Sequence, residues 1–347
     1  MTFRILSLSG GGYKGLYTAQ VLAGLEAESG DVPLHKRFDL IAGTSIGGIL
    51  ALSLASGKTT MQAVANLMAE QGIKIFGQKD PPKSQVGVAL DLFNHRAKAR
   101  YSARPLRELI EKIVGADTCI GDLKQKTIVP TVNVTKGSPQ IFKTPHHPTY
   151  ERDWKVPLVD VALATAAAPT YFPLHKIGSE RFVDGGVYAN SPDELAVHEA
   201  LHFLGIKHDE IEILSVGTTT ARFSFSGNLV SDMGLKDWFT DQRLMSVMIG
   251  AQQMNTDFMM KHRFAERYVR VDAFPSASQI PDMRLDNAKP GATEDLKGLA
   301  EASLRDHLPK LKARAFFAHE VQEEDFMQRE EIAKYFRKLR GADGPCG

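Results

Sequence analysis

The sequence predicts an α/β protein with a largely parallel sheet covered by helices. Two observations carry this. Short apolar runs of strand type recur along the chain, each followed by a longer stretch of helical period; this alternation builds parallel sheets buried on both faces. Glycines mark the strand-to-helix turns at Gly10–Gly12, around Ser45 and at Gly185–Gly186. Of the 347 residues, 43% are hydrophobic, which is enough for a substantial core and excludes global disorder.

Taken in order, FRILSLS is a buried first strand, broken by Gly10, Gly11 and Gly12. LYTAQVLAGLEAESG sets Leu16, Ala19, Val21, Leu22 and Leu25 on one broad side of a helix. FDLIAG is a second strand and IGGILALSLASG the helix after it, with Gly57 as its stop. MQAVANLMAEQGIKIFG opens as a helix, and QKDPPKSQVG reads as a surface loop. ARPLRELIEKIVG is an amphipathic helix with Ser102 and Pro105 near its start. KTIVPTVNVTKGSPQIFKT gives two strands around a Gly-Ser-Pro turn. VPLVDVALATAAAPTYFPLH is a small-residue helix ending before Pro169, and ERFVDGGVYANSP is a short strand and a glycine turn. DELAVHEALHFLG is helical, and EIEILSVGT is another buried strand. The switching of period favours one α/β unit over residues 1–220. Residues 221–347 read as a helical, loop-rich extension, a cap or regulatory segment packed on the core rather than independent.

Formal net charge is +1, so no bulk electrostatic case exists for nucleic acid or an anionic membrane. Two cysteines, Cys119 and Cys346, make neither a disulfide framework nor a thiolate metal site, and a reducing cytosolic compartment fits them. MTFRILSLSGGGYKG is a poor signal peptide, because its apolar run meets glycines and Lys14 at once. The uncharged stretch 40–57 approaches the length of a membrane span. Glycines and hydroxyls interrupt it, and a strand, turn and helix account for it better.

Three turns carry chemistry. SGGGYKG contains Gly10-x-Gly12-x-x-Gly15, a string shared by dinucleotide-binding loops. Such a site wants an acidic residue near the end of the second strand, and FDLIAG instead has Asp39 near the beginning. An oxyanion loop uses the same physics, with close backbone approach and amides at a helix start. Gly43-Thr44-Ser45-Ile46-Gly47 fits GxSxG, the nucleophile elbow in which a sharp turn exposes a serine Oγ. A helix-capping serine is the plainer alternative. A serine alcohol needs a base, and none of the histidines after it stands in a compelling strand-end setting. His198 and His202 share a helix face, but HEALH is not HExxH and no third ligand is evident. Asp184, in RFVDGG, does end a strand, where it is either a base for Ser45 or the cap of a turn.

The order GGGYKG, GTSIG, DGG resembles the patatin-like phospholipase family over about residues 3–217. That resemblance implies a three-layer α/β hydrolase fold with a central, mostly parallel sheet. It also implies a Ser–Asp dyad without a catalytic histidine, no metal and no catalytic cofactor. Ser45 matches the nucleophile and Asp184 the base. Gly10, Gly11 and Gly12 match the oxyanion loop, and Lys14 the basic position that steadies it. Gly43, Gly47 and Gly185 match the supporting motif positions. LSLSGGGYKGLYTAQVL and FDLIAGTSIGGILAL further resemble the patatin-like effectors of bacterial antiphage (CBASS) systems. Those are phospholipases switched on by a cyclic dinucleotide from a partner nucleotidyltransferase, and they degrade membrane phospholipids. The implied setting is cytoplasmic, with transient action at the inner face of the membrane; a homo-oligomer stands open. ALATAAAPTYFPL and the methionine-rich segment are candidates to line an acyl tunnel; Met245, Met248, Met254, Met259 and Met260 taken singly read as core filler, and together as a candidate lid or activation element. An anionic activator would suit arginines near a dimer or lid cleft; Arg222, Arg243, Arg263 and Arg267 are candidates, but read first as ordinary solvated side chains and are not assigned as sites. An unregulated intracellular lysophospholipase, or a catalytically silent lipid-binding or scaffold protein, are the competing readings.

Overall fold

A computed structural model of the chain describes residues 2–77, 98–220, 232–234, 237–238 and 243–326. The predicted loop QKDPPKSQVG, Cys346, and part of the segment after position 220 lie outside these residues. In chain order the elements are β1 (Phe3–Leu8), α1 (Gly15–Glu28), β2 (Leu40–Gly43), α2 (Ile46–Ser56), α3 (Met61–Phe76) and α4 (Arg104–Val114). Next come β3 (Lys126–Asn133), β4 (Ser138–Lys143), α5 (Leu158–Thr165), β5 (His175–Ile177), β6 (Glu180–Asp184), α6 (Gly186–Ala189) and α7 (Asp193–His198). The chain then forms β7 (Ile211–Val216), α8 (Arg243–Phe264), β8 (Tyr268–Val271) and α9 (Pro290–Ala313).

The strands form one eight-stranded sheet in the order β5-β6-β3-β2-β1-β7-β8, with β4 paired to β3 off this path. β3, β2, β1, β7 and β8 run parallel, while β4, β5 and β6 are antiparallel additions. Side-chain alternation divides the core into two layers. Leu6 and Leu8 of β1 face a large cluster that includes α1, α2, α3, α4, α5 and α9. Phe3 and Ile5 face a smaller one built with Ala196 and Val197 of α7 and Met260 and Phe264 of α8. The result is helix, sheet, helix, as the family resemblance implies.

Two features lie beyond what the sequence predicts. β8 is not expected, because YVRV is four residues long and carries a charge in its middle. Arg270 is tolerated there because its guanidinium donates to Ser9 Oγ at 3.0 Å, Ser215 Oγ at 2.8 Å and Asp272 Oδ2 at 2.8 Å, so its charge is paired and its donors are used. β8 extends the parallel sheet into the region beyond residue 220, and α9 packs on α1, with Leu304 against Gly24. The glycine turn expected after β6 is the short helix α6.

Candidate active site

The site is built where two strands meet end to end on one edge of β3. β4 occupies the other edge, from Ile128 to Asn133. β2 pairs with β3 as far as Ile128, and β6 pairs from Thr131 onward in the opposite direction. Between these two stretches stands Pro130, which has no N–H to continue a ladder. The C-terminus of β2 therefore points at the C-terminus of β6. Ser45 follows the first and Asp184 ends the second. Ser45 Oγ donates to Asp184 Oδ2 at 2.6 Å.

Local constraints fix both groups. Ser45 has φ 56°, a left-handed value that a serine holds only when its surroundings impose it. Its N–H donates to Thr165 Oγ1 at 3.0 Å, and Thr165 Oγ1 donates to the Pro130 carbonyl at 2.6 Å. Gly43 and Gly47 are required by crowding. A Cβ on Gly43 would lie 2.2 Å from the Gly47 carbonyl oxygen, and one on Gly47 would lie 2.3 Å from that of Leu8. Asp184 Oδ1 accepts the Gly186 N–H at 2.6 Å. Gly185 supports the turn by donating its N–H to the Thr165 carbonyl at 3.3 Å.

Asp184 is 6% exposed and Ser45 9%. Burial disfavours the carboxylate and pushes Asp184 up to about 6, against the opposing hydrogen bonds from Ser45 and Gly186. At neutral pH it is ionised, yet more basic than an ordinary aspartate.

The glycine loop lies beside this pair. Gly12 has φ +58°, and a Cβ there would meet the Leu285 carbonyl oxygen at 2.3 Å. That carbonyl accepts the Tyr13 N–H at 2.8 Å, so the loop is pinned from the segment before α9. Gly11 and Gly12 line the cleft beside Ser45. Gly10 does not fit its expected role as an oxyanion donor. Its N–H is spent on the Asn190 carbonyl at 2.9 Å, which leaves Gly11 and Gly12, both in the cleft lining, as the candidate donors. Lys14 donates through Nζ to the Thr219 carbonyl at 3.3 Å, an anchoring contact away from the Ser45–Asp184 pair. Burial lowers Lys14 to about 8, partly offset by Asp272.

Above the pair opens a cleft lined by Ile49, Met68, Ile75, Phe76, Leu106, Leu109 and other apolar side chains. Ala166, Ala168, Pro169, Tyr171 and Phe172 contribute, as the ALATAAAPTYFPL segment suggests. Among the described residues, none of those lining the cleft is a histidine. The methionines of α8 divide between cleft, core and surface. Met245 lines the cleft, whereas Met260 is buried in the smaller core layer and Met248 and Met254 are 45% and 49% exposed. One helix cannot turn successive faces to a single cavity. Among the described residues, Arg243, Arg263 and Arg267 do not line this cleft. Arg263 and Arg267 lie over Phe264, Arg267 also donates to the Ile211 carbonyl, and Arg222 is outside the described residues. Within HEALH, Glu199 bonds His146, Lys143 and Tyr150.

Sequence reasoning misses Thr165, Asn190 and Thr218. Thr165 ties Ser45 to β3. Asn190 and Thr218 hold the glycine loop: Asn190 Nδ2 and Thr218 Oγ1 both donate to the Gly10 carbonyl, at 3.2 and 2.9 Å. Asn190 follows DGG by a short helix, and Thr218 follows a glycine at the end of β7. Those are the available signals.

A hydroxyl poised on a buried carboxylate under an apolar cleft suits one class of enzyme, the esterases that hydrolyse lipids. The family follows from the chain as a whole. Residues 6–197 match the family described as patatin-like phospholipase, and this chain belongs to it. Proteins named "cGAMP-activated phospholipase" are similar to it over most of its length. The Pseudomonas aeruginosa protein is 39% identical over 323 residues, 92% of this chain and 93% of that one. The Vibrio cholerae protein is 36% identical over 338 residues, 90% and 94% of the two chains. The Escherichia coli protein is 33% identical over 314 residues, 84% and 86%.

Proposed function

We propose that this protein is a phospholipase that releases fatty acids from bacterial membrane phospholipids through a Ser45–Asp184 dyad, and that a cyclic dinucleotide activates it. The observation that carries the chemistry is the 2.6 Å bond from Ser45 Oγ to Asp184 Oδ2 beneath the apolar cleft. Asp184 takes the Ser45 proton as Oγ attacks the ester carbonyl carbon. The Gly11 and Gly12 amides receive the negative oxygen; aligned donors of this kind contribute about 3–4 kcal/mol each. Collapse of the tetrahedral intermediate expels the alcohol, which takes the proton from Asp184 and leaves the acyl group on Ser45. Asp184 then takes a proton from water as that water attacks the acyl carbon. The fatty acid leaves, and Ser45 recovers its proton. No metal takes part in these steps.

The activator reading is supported by the three relatives named for cGAMP activation. With it go a partner nucleotidyltransferase as the source, a role in antiphage defence, and cytoplasmic residence with transient action at the inner membrane face. Residues 221–347 are the proposed cap and regulatory extension, with Met245 and Ile249 of α8 reaching the cleft mouth.

The test is fatty-acid release from vesicles of bacterial phospholipid, with and without a panel of cyclic nucleotides. Wild type is compared with Ser45→Ala and Asp184→Asn, each shown to be folded. Release that needs Ser45, Asp184 and cGAMP is the expected result. Equal release without nucleotide removes the activation and leaves an unregulated lysophospholipase or acyl hydrolase. Activity that survives both substitutions removes the dyad.

A further inference from the structure

The peptide joining Gly10 to Gly11 is held from outside the glycine loop. Its carbonyl oxygen, on Gly10, accepts two hydrogen bonds, from Thr218 Oγ1 at 2.9 Å and Asn190 Nδ2 at 3.2 Å. Thr218 is 1% exposed and Asn190 2%. Among the described residues no peptide bond is cis, so the Gly11 N–H points opposite to the Gly10 carbonyl across one rigid plane. Whatever fixes the carbonyl also aims the amide.

This peptide needs such a hold. It lies between two glycines, the residues with the widest backbone freedom, and a flip would turn a carbonyl oxygen toward a developing negative charge. The fit around it is close. A Cβ on Gly11 would stand 2.2 Å from Thr218 Oγ1, and one on Gly10 would stand 2.4 Å from Asn190 Oδ1. The loop is thus glycine partly so that these two side chains can reach its backbone. Hydrogen bonds accepted by a carbonyl also polarise the N–H of the same peptide, making it a better donor.

We infer that Thr218 and Asn190 are positioning residues for the reaction, orienting and polarising the Gly11 N–H that receives the oxyanion. This rests on the hydrolase reading above and assigns work to two residues outside the GGG, GTSIG and DGG motifs.

The experiment measures kcat and KM for a soluble nitrophenyl ester, with cGAMP present, in wild type, Ser45→Ala, Thr218→Val, Thr218→Ser and Asn190→Ala. Affinity for an acyl trifluoromethyl ketone, which forms a tetrahedral adduct, and for free fatty acid is measured alongside, as is melting. Thr218→Val keeps the side-chain shape and removes the donor. It is expected to lower kcat by about 10- to 100-fold with KM unchanged, a misaligned donor costing somewhat less than a deleted one. Ketone affinity should fall by a similar factor while fatty-acid affinity holds, and Thr218→Ser should recover most of the loss. Asn190→Ala should move the same quantities in the same direction, and it decides the matter if Thr218→Val does not fold. Undiminished kcat in a folded Thr218→Val or Asn190→Ala, with Ser45→Ala inactive, overturns the positioning role alone. A rise in KM without a fall in kcat does the same. Activity that persists in Ser45→Ala overturns the hydrolase reading and this inference with it.

Discussion

Asp184→Asn should make the protein more stable while removing its activity, and the gain should depend on pH. Burial raises Asp184 from an ordinary 3.8 to about 6. A carboxyl raised on folding binds its proton more tightly in the native state than in the unfolded chain. Its unfavourable contribution is therefore absent below about 3.8, grows as pH rises through about 6, and is constant above. The rise from 3.8 to about 6, at about 1.4 kcal/mol per pH unit, makes about 3 kcal/mol at pH 8, and about 1 kcal/mol at pH 4.5. Asparagine has the same shape. Its Oδ1 can accept the Gly186 N–H and its Nδ2 can donate to Ser45 Oγ, so the two bonds at 2.6 Å survive in kind. Unfolding entropy of about 2 cal/mol/K per residue converts the gain to a Tm rise of roughly 4 °C for a chain this long. Urea unfolding of both proteins across that pH range checks it. A gain equal at both ends, or a loss at pH 8, would refute the account of Asp184 as a carboxylate raised by burial.

Further outcomes follow from the same geometry. The kcat/KM of the wild type should rise with unit slope through about pH 6, because only the ionised Asp184 can take the Ser45 proton; a flat profile between pH 5 and 8 would count against it. Thr165→Val should leave the Ser45 N–H and the Pro130 carbonyl without partners, lowering unfolding free energy by about 2–4 kcal/mol, with Thr165→Ser close to wild type in the same urea experiment. Burial pushes Glu199 upward, but hydrogen bonds from His146, Lys143 and Tyr150 outweigh it and hold the carboxyl down to about 2. Its stabilisation is present above about 4.5 and is lost as pH falls toward 2. Glu199→Gln should cost about 3–5 kcal/mol at neutral pH, read from denaturation midpoints, with the difference shrinking in acid.

What the sequence makes legible is local. GGG, GTSIG and DGG stand out because a strand that turns sharply into a helix has no room for Cβ atoms, as Gly47 against the Leu8 carbonyl shows. Turn chemistry of this sort is written in consecutive residues. The fork on β3 is not, since it arises from which strands share an edge, and Pro130 looks like any proline until its neighbours are known. Thr165, Asn190 and Thr218 act on backbone groups that lie far from them in sequence. Their roles follow from pairing rather than from motif. Gly10 is misassigned from sequence for the same reason: three adjacent glycines look equivalent as a string, and only the Asn190 carbonyl separates the first from the other two. β8 is hidden by its own arginine, whose partners come from the residue after β1, from β7 and from the residue after β8 itself.

The abutting ends of β2 and β6 have a mechanical consequence. Ser45 and Asp184, the proposed nucleophile and base, are mounted on neighbouring stretches of one strand edge, braced by Thr165 and Gly186. In enzymes with a histidine between serine and acid, a ring can rotate out of line and disarm the site. Here the backbones that carry the two groups are held by one sheet edge, with no third side chain between them. On the function proposed above, an on–off control that keeps this frame leaves the pair in place. It works on the traffic instead: who enters the cleft past α8, and how the glycine loop stands when the ester arrives.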